Sequence, residues 1–256
     1  MAAPETTKLP VIAKTASWVE TRIHKALAKA RDERSAGKSG RLALSQIGKC
    51  ERGLWGGVNG IPDERPPEGR ILVLFDLGEA VETHVVELLR LAGFEVLSHD
   101  PDTGEQFRIT GFGENASGRL DGLVRFKRSQ HATDERALLE VKSANAKKFD
   151  ELLASGSYAA WNPVYGDQVQ VYMGRKGLKQ ALVVVECKND SQLYVEVIDF
   201  DPGRYRELWA KAERIVNAES APPRPEEGKS QYCGFCKYCS RGKWCWGPLV
   251  DVSFDD

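Results

Sequence analysis

A mixed α/β fold is what this sequence predicts, and three observations predict it. A long stretch of helical periodicity precedes a series of short strand-like runs. After those runs come helices and further strands in an order that is not a regular βα alternation. The composition is also that of a globular chain: 256 residues, 41% hydrophobic, 29% charged and 9% aromatic. That supplies core for one large domain or two small ones.

The elements follow in chain order. Ser17 with Glu20 reads as a capping box, and Trp18, Val19, Ile23, Ala26, Leu27 and Ala30 continue at helical spacing, so a helix is expected over about 17–36. A short helix over about 42–55 would carry Cys50. GGVNGIPDERPPEG is a loop on its Gly and Pro content. A long amphipathic helix spans about 71–91 and stops at Gly93. Strands are expected at 94–97, 107–112, 119–126 and 137–142, divided by polar turns. Helices at about 146–153 and 164–175, strands at 181–186 and 194–198, and a helix at 202–217 complete the body. APPRPEEGKS then reads as a linker, and no internal repeat is visible.

Charge is balanced overall, with a formal net charge of -1, which excludes a globally basic nucleic-acid binder. Locally it is not balanced. From Lys8 to Arg41 nine Lys/Arg face three acids, so residues 1–41 form a basic N-terminal segment. Lys25, Lys29 and Arg34 on it are candidate DNA-phosphate contacts; a solvated helix face is the alternative. No run approaches the ~20 apolar residues of a membrane span, and MAAPETTKLP has no export signal, so a cytoplasmic, reducing location is expected. G-x-x-x-x-G-K-[ST], G-x-G-x-x-G and G-x-S-x-G are all absent.

Two expected strands carry acids in apolar surroundings. Asp121 lies in GRLDGLV, and Glu140 and Lys142 lie in ALLEVKS, where period-two alternation puts them on one face. A carboxylate and an ammonium beside apolar sequence are costly unless they pair or bind something. Metal-assisted phosphodiester hydrolysis uses such a set: carboxylates hold Mg²⁺ or Mn²⁺, and a lysine positions water or offsets phosphate charge. E-x-K alone equally describes a salt bridge at a strand end. Here it belongs to an ordered series: Gly78-x-x-x-Glu82 on the long helix, then G-R-L-D-G, then E-V-K, then Gln168-x-x-x-Tyr172, whose i,i+4 spacing shares a helix face.

Of six cysteines, Cys233, Cys236, Cys239 and Cys245 crowd into CGFCKYCSRGKWC, while Cys50 and Cys187 stand apart. Cysteines two residues apart in a reducing compartment read as metal ligands. Cys187 ends an expected strand and reads as a buried small hydrophobe.

The ordered series resembles the PD-(D/E)xK nuclease superfamily in its RecB-like branch. The nearest resemblance is to iron–sulfur exonucleases of the CRISPR adaptation, AddB and phage types. It covers about residues 42–246 and so implies a nuclease domain over 42–256, with a cysteine cluster at about 230–246. It implies a restriction-endonuclease-like core, a mixed sheet flanked by helices, with a cluster joining the N- and C-terminal segments.

By the same resemblance, Glu82, Asp121, Glu140 and the Val141 carbonyl hold Mg²⁺ or Mn²⁺. Relatives often have His where Glu82 stands. Lys142 activates water, and Gln168 and Tyr172 support the site. Cys50, Cys236, Cys239 and Cys245 match the 4Fe–4S ligand pattern, with Cys233 a possible substitute. A zinc Cys₄ site is the rival. The implied activity is exonucleolytic cleavage of single-stranded DNA or duplex ends, in phage or bacterial recombination, repair or CRISPR adaptation. A phage annealing protein or CRISPR adaptation proteins would be partners. A catalytically idle DNA-binding or assembly subunit and a zinc-binding interaction protein are the alternatives.

Overall fold

The computed structural model describes residues 12–35, 40–64, 67–125, 136–224, 236 and 239–247. Cys233, Phe126 and the end of the expected linker lie outside the described residues, as do the side chains of Ser17 and Arg34.

The chain begins with α1 (Ile12–Ser35), then β1 (Leu42–Ala43), a 3₁₀ turn (Leu44–Gln46), α2 (Glu51–Val58) and α3 (Gly69–Leu91). Four short strands follow: β2 (Glu95–Leu97), β3 (Arg108–Gly111), β4 (Ala116–Arg119) and β5 (Gly122–Arg125). Next are β6 (Ala137–Ala144), α4 (Ala146–Ser155), α5 (Tyr158–Trp161) and α6 (Pro163–Lys176). The chain continues through β7 (Gln180–Cys187), β8 (Leu193–Asp199), α7 (Pro202–Asn217) and α8 (Gly242–Trp246).

The strands form two sheets: a large one in the order β2-β5-β6-β7-β8 and a small one in the order β1-β4-β3. β6 and β7 run parallel, with Glu140 beside Val183, while β2, β5 and β8 join antiparallel. A parallel pair needs a crossover, and α4, α5 and α6 supply it. β7 reads QALVVVEC and is buried along almost its whole length, as expected of a strand covered on both faces. On one face α3 lays Val81, Val85 and Val86 against Leu139, Val141, Leu182 and Val184. On the other, α6, α7 and the small sheet pack Val169, Tyr172, Leu208 and Ile109 against Leu138, Val183 and Val185. Each buried side chain of this size contributes about 1.5–3 kcal/mol.

The helices start where their capping residues dictate. Asn145, Asn162 and Asp201 each accept a backbone N–H at the start of α4, α6 and α7. Pro163 and Pro202 follow in the first turn, where a missing N–H does no harm.

Several expectations need correction. Helix α1 already runs at Ile12, so Ser17 is inside it rather than a cap; VIAKTA holds no breaker. The expected helix at 42–55 is instead a strand, a 3₁₀ turn and a later helix. Leu42 and Ala43 pair with Ala116 and Ser117, and Cys50 is the residue before α2. The expected strand at 119–126 is broken: Arg119 ends β4 in the small sheet and Gly122 starts β5 in the large one. Asp121 sits in the crossing between them. The segments α5 and α8 were not expected. Among the described residues, no helix is long and apolar enough to cross a membrane.

Candidate active site

β6 alternates as its sequence requires. Leu138, Glu140 and Lys142 face the α6 side, and Leu139 and Val141 face α3. Glu140 is fully buried. Its Oε1 accepts from Gln168 Nε2 at 2.7 Å and from Lys142 Nζ. Its Oε2 has no hydrogen-bond partner. Lys142 Nζ also lies 3.3 Å from the Val141 carbonyl oxygen and 5.5 Å from the centroid of the Tyr165 ring. Asp121, at the crossing between the sheets, reaches β6, where its Oδ2 accepts the Val141 N–H at 2.7 Å. Glu82 faces this group from the middle of α3, close enough to feel the charges of Asp121, Lys142 and Glu140.

The electrostatics are those of crowded carboxylates. Burial, reinforced by Asp121, pushes Glu82 up to about 7. Burial likewise pushes Glu140 up to about 7, although Lys142 pulls the other way. Asp121 is raised by burial against the opposing pull of Lys142 and the Val141 N–H. For Lys142, burial disfavours the charge, but Glu140 and Asp121 outweigh it and hold the ammonium above its usual range.

Gln168 and Tyr172 share the inward face of α6. Tyr172 is buried, with its pKa raised by that burial, and its hydroxyl meets Ser45. Only glycine lets β4 pass this ring: a Cβ on Gly118 would lie 2.6 Å from the Tyr172 hydroxyl. The structure therefore brings Glu82, Asp121, Glu140, Val141, Lys142 and Gln168 together, with Tyr172 beside them.

Of the proposed DNA contacts on α1, Lys25 and Lys29 do not line the cavity that reaches Glu82. Lys25 and Lys29 are exposed, and Lys29 faces Glu33 at 3.8 Å. A cavity of about 440 Å³ reaches Glu82 from outside, and Arg31 of α1, Phe75 of α3, Gln106 and Arg119 line it. Sequence reasoning missed Arg119 and Tyr165, and had Arg31 only as one of the nine basic residues from Lys8 to Arg41. Tyr165 had a signal: it stands three residues before Gln168, on the same stripe of α6.

Among the described residues no three His, Cys, Asp or Glu side chains converge into a preformed metal cage. The donor chemistry here still fits a hard divalent cation, because Mg²⁺ takes one or two carboxylates and keeps its other positions for water and phosphate. The unpartnered, buried Glu140 Oε2 is the kind of oxygen such an ion completes.

In the cysteine group, burial pushes the Cys50 thiol up, with Cys239 and Cys245 near enough to add to the shift. A Cβ on Gly53 would lie 3.8 Å from both Cys50 Cβ and Cys239 Sγ. The Cys239 N–H donates to the Cys236 carbonyl at 2.9 Å. The early and late segments are also bound directly. Glu64 accepts from the N–H groups of Lys243 and Trp244 at 2.9 and 2.7 Å. Arg241 pairs with Asp63 at 2.9 Å and donates to the Ile61 carbonyl at 2.8 Å. Trp244 stacks on Trp55 with centroids 6.1 Å apart. This soft thiol set fits iron–sulfur or zinc by donor type. Cys187 is buried in the main core, as a small hydrophobe would be.

No protein-family model matches the chain, and no curated protein does. Solved structures do. LHK-Exo in complex with dAMP is 18% identical at a TM-score of 0.51, over 72% of this chain and 90% of that one. A second structure of this alkaline exonuclease, from Laribacter hongkongensis, gives the same values. SSO0001 is 14% identical at a TM-score of 0.50, over 89% of this chain and 98% of that one. At such identities the likeness is one of fold: this chain shares its mixed α/β architecture with an alkaline exonuclease.

Proposed function

We propose that this chain is a Mg²⁺- or Mn²⁺-dependent deoxyribonuclease that degrades DNA from an end. The observation that carries the reading is Glu140, fully buried, with one oxygen held by Lys142 and Gln168 and the other unpartnered. A bound cation would complete that oxygen, which burial otherwise leaves without a partner. The shared architecture with an alkaline exonuclease supports the same reading.

Asp121, Glu140 and the Val141 carbonyl would hold the ion, with Glu82 opposite. When bound, such an ion polarises the phosphoryl group and lowers the pKa of a coordinated water. The protein's own groups do the rest. Lys142, held charged between Glu140 and the Val141 carbonyl, orients the attacking water and offsets charge growing on the phosphate. Gln168 fixes the Glu140 rotamer. Tyr172 closes the far wall, and Arg31 and Arg119 offer cations along the approach to Glu82.

Cys50, Cys236, Cys239 and Cys245 would bind a 4Fe–4S cluster that holds the two chain segments together, with zinc as the alternative occupant. The proximity of Cys50 to Cys239 and Cys245 supports a shared centre. DNA recombination, repair or CRISPR adaptation in a phage or bacterium is the setting we infer. An annealing protein or CRISPR adaptation proteins would be the partners there.

The test uses 5′- and 3′-labelled single-stranded and blunt duplex DNA with Mg²⁺, Mn²⁺ or EDTA. Metal-dependent release of short products from an end is expected, and Glu140→Gln removes it while DNA binding persists. No cleavage of any substrate with either metal would reject the reading.

A further inference from the structure

The large sheet has two edges, and the protein treats them differently. β2, at one edge, is three residues long. Arg90 closes it by donating to the Val96 carbonyl at 3.1 Å, and Glu95 pairs with Arg125 at 2.8 Å. A short, charged, capped strand is how proteins prevent sheets from joining edge to edge. β8, at the other edge, is neither short nor capped by an arginine, although it carries Glu196 and Asp199. It is seven residues long, LYVEVID, with no Lys, no Pro and an unbroken ladder to β7.

The phase of that ladder fixes what β8 presents outward. The Cys187 N–H bonds the Gln192 carbonyl and the Phe200 N–H bonds the Lys179 carbonyl. Antiparallel hydrogen bonding alternates, so Tyr194, Glu196 and Ile198 direct their backbone groups to β7. Leu193, Val195 and Val197 direct theirs outward, and among the described residues these have no partner. The same three carry the exposed side chains, at 47%, 57% and 46%. They continue the apolar face of Leu182 and Val184, Val195 lying beside Val184 and Val197 beside Leu182. Helix α3 covers that face on β6 and β7, whereas on β8 it lies open to solvent.

We propose that β8 is a dimerisation edge: two copies of the chain join their large sheets through antiparallel β8–β8 pairing about a twofold axis at Val195. The sequence is self-complementary in this register. Val195 meets Val195 of the second copy and exchanges both backbone hydrogen bonds with it. Leu193 meets Val197, and Val197 meets Leu193. On the opposite face Tyr194 lies across from Glu196, so no two like charges oppose one another. Asp199 falls across from Ser191 rather than from a second acid. Moving the twofold axis by one residue, a register shift of two, would put Glu196 opposite Glu196, which disfavours it. The contact is isologous and closes at two copies.

Sedimentation of the full chain at micromolar concentration is expected to give a dimer. Val195→Lys, which places a lysine on the edge, should give a monomer with native circular dichroism, its unfolding midpoint no longer dependent on concentration. Under mild oxidant Val195→Cys should form a covalent dimer beyond the wild-type background, because the two positions are adjacent across the axis. Leu193→Cys should not, because each copy of 193 faces 197. A monomeric wild type, a dimer that survives Val195→Lys, or equal cross-linking by Leu193→Cys would each overturn the proposal. Covering of the strand by another part of the same chain would give the first of these results.

Discussion

The acidic site and the cysteine site are built by opposite means. Glu140, Lys142, Gln168 and Tyr172 ride on a central strand and one helix, so spacings of two and four residues place them almost without loops. The cysteine site joins residue 50 to residues near 240 through irregular chain. Its geometry rests on other residues: Glu64, Arg241 and the Trp55–Trp244 stack. Regular elements thus give the acidic site a rigid frame, and the cysteines need a frame made for them. Changes at the first site should remove chemistry and spare the fold, and changes at the second should do the reverse.

The sharpest break in that comparison comes from Asp121→Ala, Glu140→Ala or Lys142→Ala. Each should lower metal-dependent kcat/KM by about 10³ or more, since each removes charge that stabilises the transition state. Circular dichroism should remain native. Retained cleavage in Glu140→Ala would dissolve the distinction.

Next in size is the effect of Cys50→Ser. It should abolish iron and brown colour in anaerobically purified protein, as should loss of any late ligand, while Cys187→Ser keeps both. Zinc without iron or sulfide would replace the cluster and leave the contrast standing. Arg241→Ala should destabilise the chain by about 2 kcal/mol in denaturant unfolding, through its lost hydrogen bonds to Ile61 and Asp63. Activity per folded molecule should be unchanged.

A smaller effect belongs to pH. Glu82 and Glu140 are raised from 4.5 to about 7. Between these values the folded metal-free chain keeps protons that the unfolded chain has released. Their stabilisation is fully present below about pH 4.5 and is lost as pH rises through about 7. Thermal unfolding of the metal-free protein should show that decline, and Glu140→Gln should flatten it. Mn²⁺ should raise the unfolding temperature more at pH 8 than at pH 6, because it binds the ionised carboxylates.

The smallest effect separates two parts of α1. Arg31→Glu should weaken DNA binding and reduce its log–log salt slope by about one. Lys29→Glu, on the exposed side near Glu33, should change both less. Equal effects would extend the DNA surface over the whole basic helix.

What the sequence made legible follows the same division. Glu140 and Lys142 were visible because alternation is local, and α7 and β7 because their patterns are uninterrupted. Strand β4 was not visible: Ala-Ser-Gly-Arg has little β propensity, and its place comes from pairing with β1 and β3. The break at Asp121 was hidden for that reason, since nothing local marks where a chain leaves one sheet for another. Cys50 was recognised as a candidate ligand, but its helix was misplaced, because the segment before it is recruited into a strand by residues some seventy positions away. Arg31 and Arg119 meet only at the cavity, a coincidence of tertiary packing.

The parallel pairing of β6 with β7 has a consequence for the growing chain. Leu138 cannot meet Ala181 until the whole α4–α6 crossover has left the ribosome. Until then Glu140 stands in water with an ordinary carboxylate affinity for protons, and Gln168 is not yet beside it. The buried, proton-retaining carboxyl comes into being only when the crossover closes. On the nuclease reading we propose, the acidic site is assembled by topology and is complete only once β7 has joined the sheet.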